Sequence, residues 1–174
     1  MTRIGFMSDL HLDSNQFGHF EQQTLKDVLK KARIDHLHIA GDLSNDLTHI
    51  SLPFIEDLRQ ELPISFNLGN HDMPGLSEQE ISNHDFQVQQ FGQTKLVSFS
   101  GWYDYSFVPE KSKEEHLRTK TNFWFDRRLE RKLDDPNITA HILQKLEKLL
   151  ASLEGPIIVA LHFVPHQDFL YDHP

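Results

Sequence analysis

The 174-residue sequence contains no cysteine, which excludes disulfide scaffolds, thiolate zinc sites and cysteine nucleophiles and leaves oxygen and nitrogen to hold any metal. Long apolar runs are also missing. The longest clean one, Ile157–Leu161, is far short of the ~18 residues needed to cross a bilayer, and the N-terminal MTRIGFMSD has no secretory pattern. A soluble, cytoplasmic chain without a membrane partner is expected. Positive charge is scarce as well: 17 Lys and Arg against 26 Asp and Glu give a formal net charge of −9, which counts against nucleic acid as a general partner. Internal repeats and low-complexity segments are absent. With 38% hydrophobic residues, residues 1–174 suit a single domain with a real core, since chains of this size bury roughly 70% of their unfolded surface.

Short apolar runs alternate with helical patterns, as in βαβ units built on a mainly parallel sheet. The strand candidates are Arg3–Met7, His36–Ala40, Ile64–Leu68, Lys95–Phe99 and Pro156–Leu161. Glu21–Arg33 carries Leu25, Val28, Leu29 and Ala32 at helical spacing, and SLPFIEDLRQ carries Leu52, Ile55 and Leu58 in the same way. Ser77 followed by Glu80 forms a capping box that predicts a helix start near Ser77. A last long helix runs from Pro136 to Leu153 and stops before Gly155-Pro156.

The aromatic-rich stretch Gly101–Lys132 interrupts this alternation. From Lys111 to Lys132 there are eight Lys or Arg against four Asp or Glu, so a basic excursion is set into an acidic chain. It is expected to cap a substrate site. Trp102, Tyr103 and Tyr105 would stack on a base and Arg118, Arg127 or Arg128 would meet a second phosphate. A solvated helix anchored to the core by its aromatics is the competing reading.

Four strand candidates end in polar side chains that can ligate a metal. Arg3–Met7 runs into Ser8-Asp9-Leu10-His11, His36–Ala40 into Gly41-Asp42, Ile64–Leu68 into Gly69-Asn70-His71-Asp72, and Ile157–Leu161 into His162. In an open parallel sheet the strand C-termini share one edge, where ligands bind, so these residues are expected to converge there. The two-residue strand period would turn Asp9 and His11 the same way. Asp9, His11, Asp42, Asn70 and His162 form a hard-to-borderline donor set suited to Mn²⁺, Fe or Zn²⁺. Gly41 and Gly69 would let the backbone turn tightly. His36 and His38 are expected to cover a sheet face or edge.

These ordered motifs closely resemble the calcineurin-like metallophosphoesterase superfamily over nearly the whole chain, and SDLHLD and GDLSND look like its bacterial phosphodiesterase and nucleotide-hydrolase branch. The resemblance implies an α/β/β/α sandwich with a mainly parallel first sheet. It also implies two divalent ions, with manganese favoured over iron or zinc. Asp9 and His11 would bind one ion, Asn70 and His162 the other, and Asp42 would bridge them. His71 would stand over the substrate as acid or electrostatic stabiliser, with Asp72 orienting its imidazole. A hydroxide bridging the two ions would attack the phosphorus of a small phosphodiester, nucleotide or phosphomonoester.

The superfamily normally continues to a Gly-His-x-His segment. Here only His166 and His173 follow His162, so the sequence reads as a C-terminally incomplete domain with a partial second sheet, weakened metal binding and a tendency to self-associate. A non-catalytic scaffold on the same fold and a nuclease are the alternatives.

Overall fold

The computed structural model describes residues 2–170. A first sheet joins β1 (Ile4–Met7), β2 (His36–Ala40) and β3 (Ile64–Asn67) in parallel and in that order. Its crossovers carry α1 (His19–Lys31) and α2 (Leu52–Arg59). β2 is buried from His36 to Ile39, and its alternating side chains serve two layers. Leu37 and Ile39 enter a cluster with Leu29, Ile55 and Leu58, which seats both helices on one face. His36 and His38 point to the other face, where His36 Nε2 and His38 Nδ1 each lie 2.8 Å from Ser65 Oγ and His38 Nε2 lies 2.9 Å from Asn67 Oδ1. That polar row meets the second sheet, with the His36 ring 4.8 Å from Phe91.

The second sheet has the order β4 (Gln87–Phe91), β5 (Thr94–Phe99), β6 (Ile157–Leu161), antiparallel at the first pairing and parallel at the second. Mixed α/β layers with a parallel first sheet and a small second one are therefore the architecture, in agreement with the expected fold class. α3 (Glu78–His84) starts where the capping box places it: Glu80 Oε2 accepts from Ser77 N at 2.7 Å. α4 (Lys113–Phe123) has a second box of the same kind, Ser112 with Glu115. α5 (Asp135–Ser152) opens with Asp134 as its cap and Pro136 in its first turn. Its Ile138 and Ile142 pack with Leu68, Met73, Ile81 and Trp102 in a second apolar cluster.

Two features depart from the sequence expectations. β4 was not anticipated, because Gln87-Val88-Gln89-Gln90-Phe91 is an edge strand with mostly polar, exposed positions and offers no apolar run. β6 pairs with β5 and not with the first sheet, so His162 reaches the ligand edge from the opposing layer. Among the described residues no helix is long and apolar enough to cross a membrane.

Candidate active site

Loops tied to one another build the site at the C-terminal edge of the first sheet. Past β1, the backbone N–H groups of Asp9, His11 and Leu12 donate to the carbonyls of Gly41, Asp42 and Leu43 at 3.1, 3.0 and 2.7 Å. Asp9, His11 and Asp42 have φ of 58°, 43° and 56°, a left-handed conformation that side-chain-bearing residues seldom adopt and that clusters at functional sites. The strand period therefore does not orient Asp9 and His11. They lie beyond β1, and the crossed hydrogen bonds aim them.

Asp72 fixes the other two loops. Its carboxylate accepts from Asp42 N (2.7 Å), Leu43 N (3.0 Å), Ser44 N (3.3 Å) and Gly69 N (2.9 Å) and is fully buried. Burial pushes this carboxyl up to about 6, against the pull of the backbone N–H groups. The expected contact between Asp72 and the His71 imidazole is replaced by this backbone clamp. His71 Nδ1 instead meets Asn45 Oδ1 at 2.8 Å.

Around Asp42 the donors converge. Its carboxylate is buried and lies 3.7 Å from His11 Nε2 and 3.4 Å from His162 Nε2. Ligand atoms of His11, Asp42 and His71 lie within 4.8 Å of one another, as do those of Asp9, Asp42 and His162. Asn70 Oδ1 is 3.2 Å from His162 Nε2, and His162 Nδ1 is 3.0 Å from the Ala40 carbonyl. Burial pushes the Asp42 carboxyl up, but His162 and the His71 N–H outweigh it and hold it below its ordinary value. His162 moves the opposite way: burial pulls it down, yet the adjacent Asp42 carboxylate raises it overall. His71 is lowered, chiefly by burial.

The calcineurin-like phosphoesterase family model matches residues 2–174. The chain belongs to that family. No curated protein matches it. Among solved structures it is similar to phosphopantetheinyl hydrolase from Mycobacterium tuberculosis, at 20% identity and a TM-score of 0.67 over 98% of this chain and 72% of that one, a likeness of fold.

Members of the calcineurin-like phosphoesterase family hydrolyse phosphoesters with divalent metals, and the donors here fit such ions. Donor atoms sharing a shell with bonds near ~2.1 Å lie about 3.0–3.4 Å apart. The Asp42–His162 and Asn70–His162 separations of 3.4 and 3.2 Å meet that spacing. His166 caps a short turn through its Nδ1, 3.3 Å from Asp168 N, and joins neither donor group. His173 lies outside the described residues.

The anticipated substrate residues fare unevenly. Trp102 is 6% exposed, stacks with Tyr103 and donates its indole N–H to Asp135 at 2.8 Å, so no indole face is open to a base. The Tyr105 hydroxyl is likewise bonded to Asp135, and its ring stacks on His116. Both help to line an apolar cavity of about 430 Å³ between the segment after β5, α5 and β6. Arg118, Arg127 and Arg128 are exposed. Arg127 Nη1 donates to the Asn122 and Trp124 carbonyls, while the Arg128 guanidinium lies 5.1 Å from the Phe125 ring. The basic excursion is also partly neutralised, because Lys113, Lys120 and Arg131 pair with Asp134, Asp135 and Glu78.

Sequence reasoning missed three residues. Asn45, three places beyond Asp42, could have been found as the next polar side chain on a ligand-bearing loop. Phe125, stacked on His71 with ring centroids 3.7 Å apart, and the buried Asp126 arrive from a distant segment without any local signal.

Proposed function

We propose that the chain hydrolyses a small phosphodiester, nucleotide or phosphomonoester with two divalent ions, manganese favoured, held on either side of Asp42. Asp9 and His11 are assigned to one ion and Asn70 and His162 to the other. Asp9 Oδ1 is 4.0 Å from His11 Nε2 and also groups with His162, so this exposed carboxylate can serve either side. The observation that carries the reading is the buried Asp42 carboxylate flanked by His11 and His162. Bound divalent ions supply Lewis-acid charge to phosphoryl oxygens and acidify a coordinated water.

This chain's side chains supply orientation and the proton. Asp72 ties residues 42–44 to Gly69, which keeps Asp42 in place. Asn45 accepts a hydrogen bond from His71 Nδ1 and leaves Nε2 to face substrate. Burial favours the neutral imidazole, and an arriving phosphoryl group adds the negative charge that stabilises a proton at Nε2. Arg128, placed over Phe125, is assigned to a second charge on the substrate.

His71 also groups with His11 and Asp42, so the decisive test separates ligand from acid. His71→Ala is expected to keep its full Mn²⁺ content while kcat for bis-p-nitrophenyl phosphate falls about 10²–10⁴-fold. Loss of metal in that variant would move His71 into the coordination shell, and an unchanged kcat would remove it from the chemistry.

A further inference from the structure

His71 carries the proton in the reading above, yet one hydrogen bond does not fix its ring. Nδ1 meets Asn45 Oδ1 at 2.8 Å, and an imidazole held at a single nitrogen can still pivot about that bond and swing Nε2 away from substrate. A displacement of about 1 Å at a reacting group can cost about 10²-fold in rate. A second contact has to set the plane of the ring.

That contact comes from the short turn Phe125–Arg128, part of the excursion between β5 and α5. The Phe125 ring lies flat on the His71 ring, with centroids 3.7 Å apart and an interplanar angle of 18°, close to the carbon–carbon optimum of ~3.5–4.0 Å. Tilting the imidazole toward Phe125 would drive its atoms into the phenyl ring. His11 meets the same imidazole nearly at right angles, with centroids 4.7 Å apart and planes at 80°, so the pivot is hindered from a second direction. Stacking covers a face of the ring and leaves its nitrogen-bearing edge open.

Two further observations separate this contact from ordinary packing. Among the described residues Phe125 joins neither of the two apolar clusters, so its ring does not serve the core. The turn that carries it is itself anchored: Arg127 Nη1 donates to the Asn122 and Trp124 carbonyls at 3.2 and 3.4 Å, Leu129 N donates to the Asp126 carbonyl at 3.1 Å, and Trp124 packs edge-on against Tyr103 at 5.1 Å. We infer that Phe125 is a positioning residue that holds the plane of the His71 imidazole, so that the excursion supplies part of the hydrolytic site. This rests on His71 acting on substrate, as proposed above.

The test combines kinetics on bis-p-nitrophenyl phosphate with NMR of the His71 ring protons in the full chain. Phe125→Leu keeps an apolar side chain but removes the flat face, and Phe125→Tyr keeps that face. Leu is expected to lower kcat about 10–100-fold with KM and Mn²⁺ content little changed, and Tyr to recover most of the loss, with circular dichroism showing both variants folded. In a His71→Ala background the Phe125→Leu change should alter kcat by less than about twofold, because its route of action is gone. In metal-free wild-type protein the phenyl ring current should move the His71 ring protons upfield; the shift should persist in Tyr and collapse in Leu. If Phe125→Leu fails to fold, the Tyr variant and the wild-type ring-proton shifts decide. Unchanged kcat in His71→Ala would defeat the reading of His71 as the acid, whereas the ring-proton shifts judge the stack by themselves. Equal kcat for wild type and Phe125→Leu, equal losses in Leu and Tyr, loss of Mn²⁺ in Leu, or unshifted His71 ring protons in the wild-type chain would overturn the inference.

Discussion

Alanine at Gly69 tests whether this glycine is kept for the space it leaves to Asp42. Gly69 has no positive φ, unlike Gly41 at 85°, so backbone freedom does not explain it. A Cβ there would lie 2.6 Å from Asp42 N and 2.9 Å from Asp42 Cγ, and nearer still to Oδ1. Neither neighbour can yield cheaply, because Asp42 N donates to Asp72 at 2.7 Å and Asp42 Oδ1 accepts from His71 N at 2.9 Å. Overpacking costs about 1–3 kcal/mol, and drawing an N–H off a buried carboxylate costs about 1–3 kcal/mol more. The expected loss in urea unfolding is thus about 2–6 kcal/mol, a large share of the ~5–15 kcal/mol of a typical domain. Mn²⁺ affinity should drop with it, since the central carboxylate is displaced. Gly75→Ala is the control: φ is 78° with nothing within 4 Å of the added carbon, so only left-handed strain of about 1–2 kcal/mol is expected, with Mn²⁺ affinity retained. A Gly69→Ala variant within about 0.5 kcal/mol of wild type and with unchanged Mn²⁺ binding would refute the reasoning.

Asp72→Asn replaces an acceptor of four backbone N–H groups with a side chain whose NH₂ must face donors. Losing two charge-assisted bonds should cost about 3–6 kcal/mol in urea unfolding, and a cost under about 1 kcal/mol would show that the clamp is idle. Asp85 gives a pH signature: it is half-buried, accepts from Ser100 N and Oγ at 2.8 Å each, and is raised above its ordinary value of 3.8 by its partial burial. The folded state therefore holds a proton that the unfolded chain has already released, and stability falls as pH rises through the window just above 3.8. Asp85→Asn should flatten that fall in thermal melts, and an identical slope in both proteins would rule out Asp85 as its source.

Most of the candidate metal site was legible because its donors follow short apolar strand runs directly, and β2 and β3 are clean and mostly buried. His162 was placed correctly in the chain but in the wrong layer, since an all-apolar run such as Ile157–Leu161 does not say which sheet it joins. Asp72 was recognised as polar and adjacent, yet its partners are backbone N–H groups from residues 42–44, which no sequence pattern names. The roles imagined for Trp102 and Tyr105 failed for a related reason. Aromatic residues in a charged segment look available for stacking, but Asp135, brought in by the start of α5, draws both polar tips inward. Phe125 was invisible because it acts across the fold, on His71 more than fifty positions away.

The central claim, that one buried carboxylate organises two ions, is tested most directly by the Mn²⁺ stoichiometry of Asp42→Ala against wild type, read by elemental analysis after equilibration with the metal. The account predicts two ions in the wild-type chain and the loss of both in the variant, because the buried Asp42 carboxylate lies 3.7 Å from His11 Nε2 and 3.4 Å from His162 Nε2 and would serve both ions. Full occupancy in Asp42→Ala, or the loss of only one ion, would contradict it.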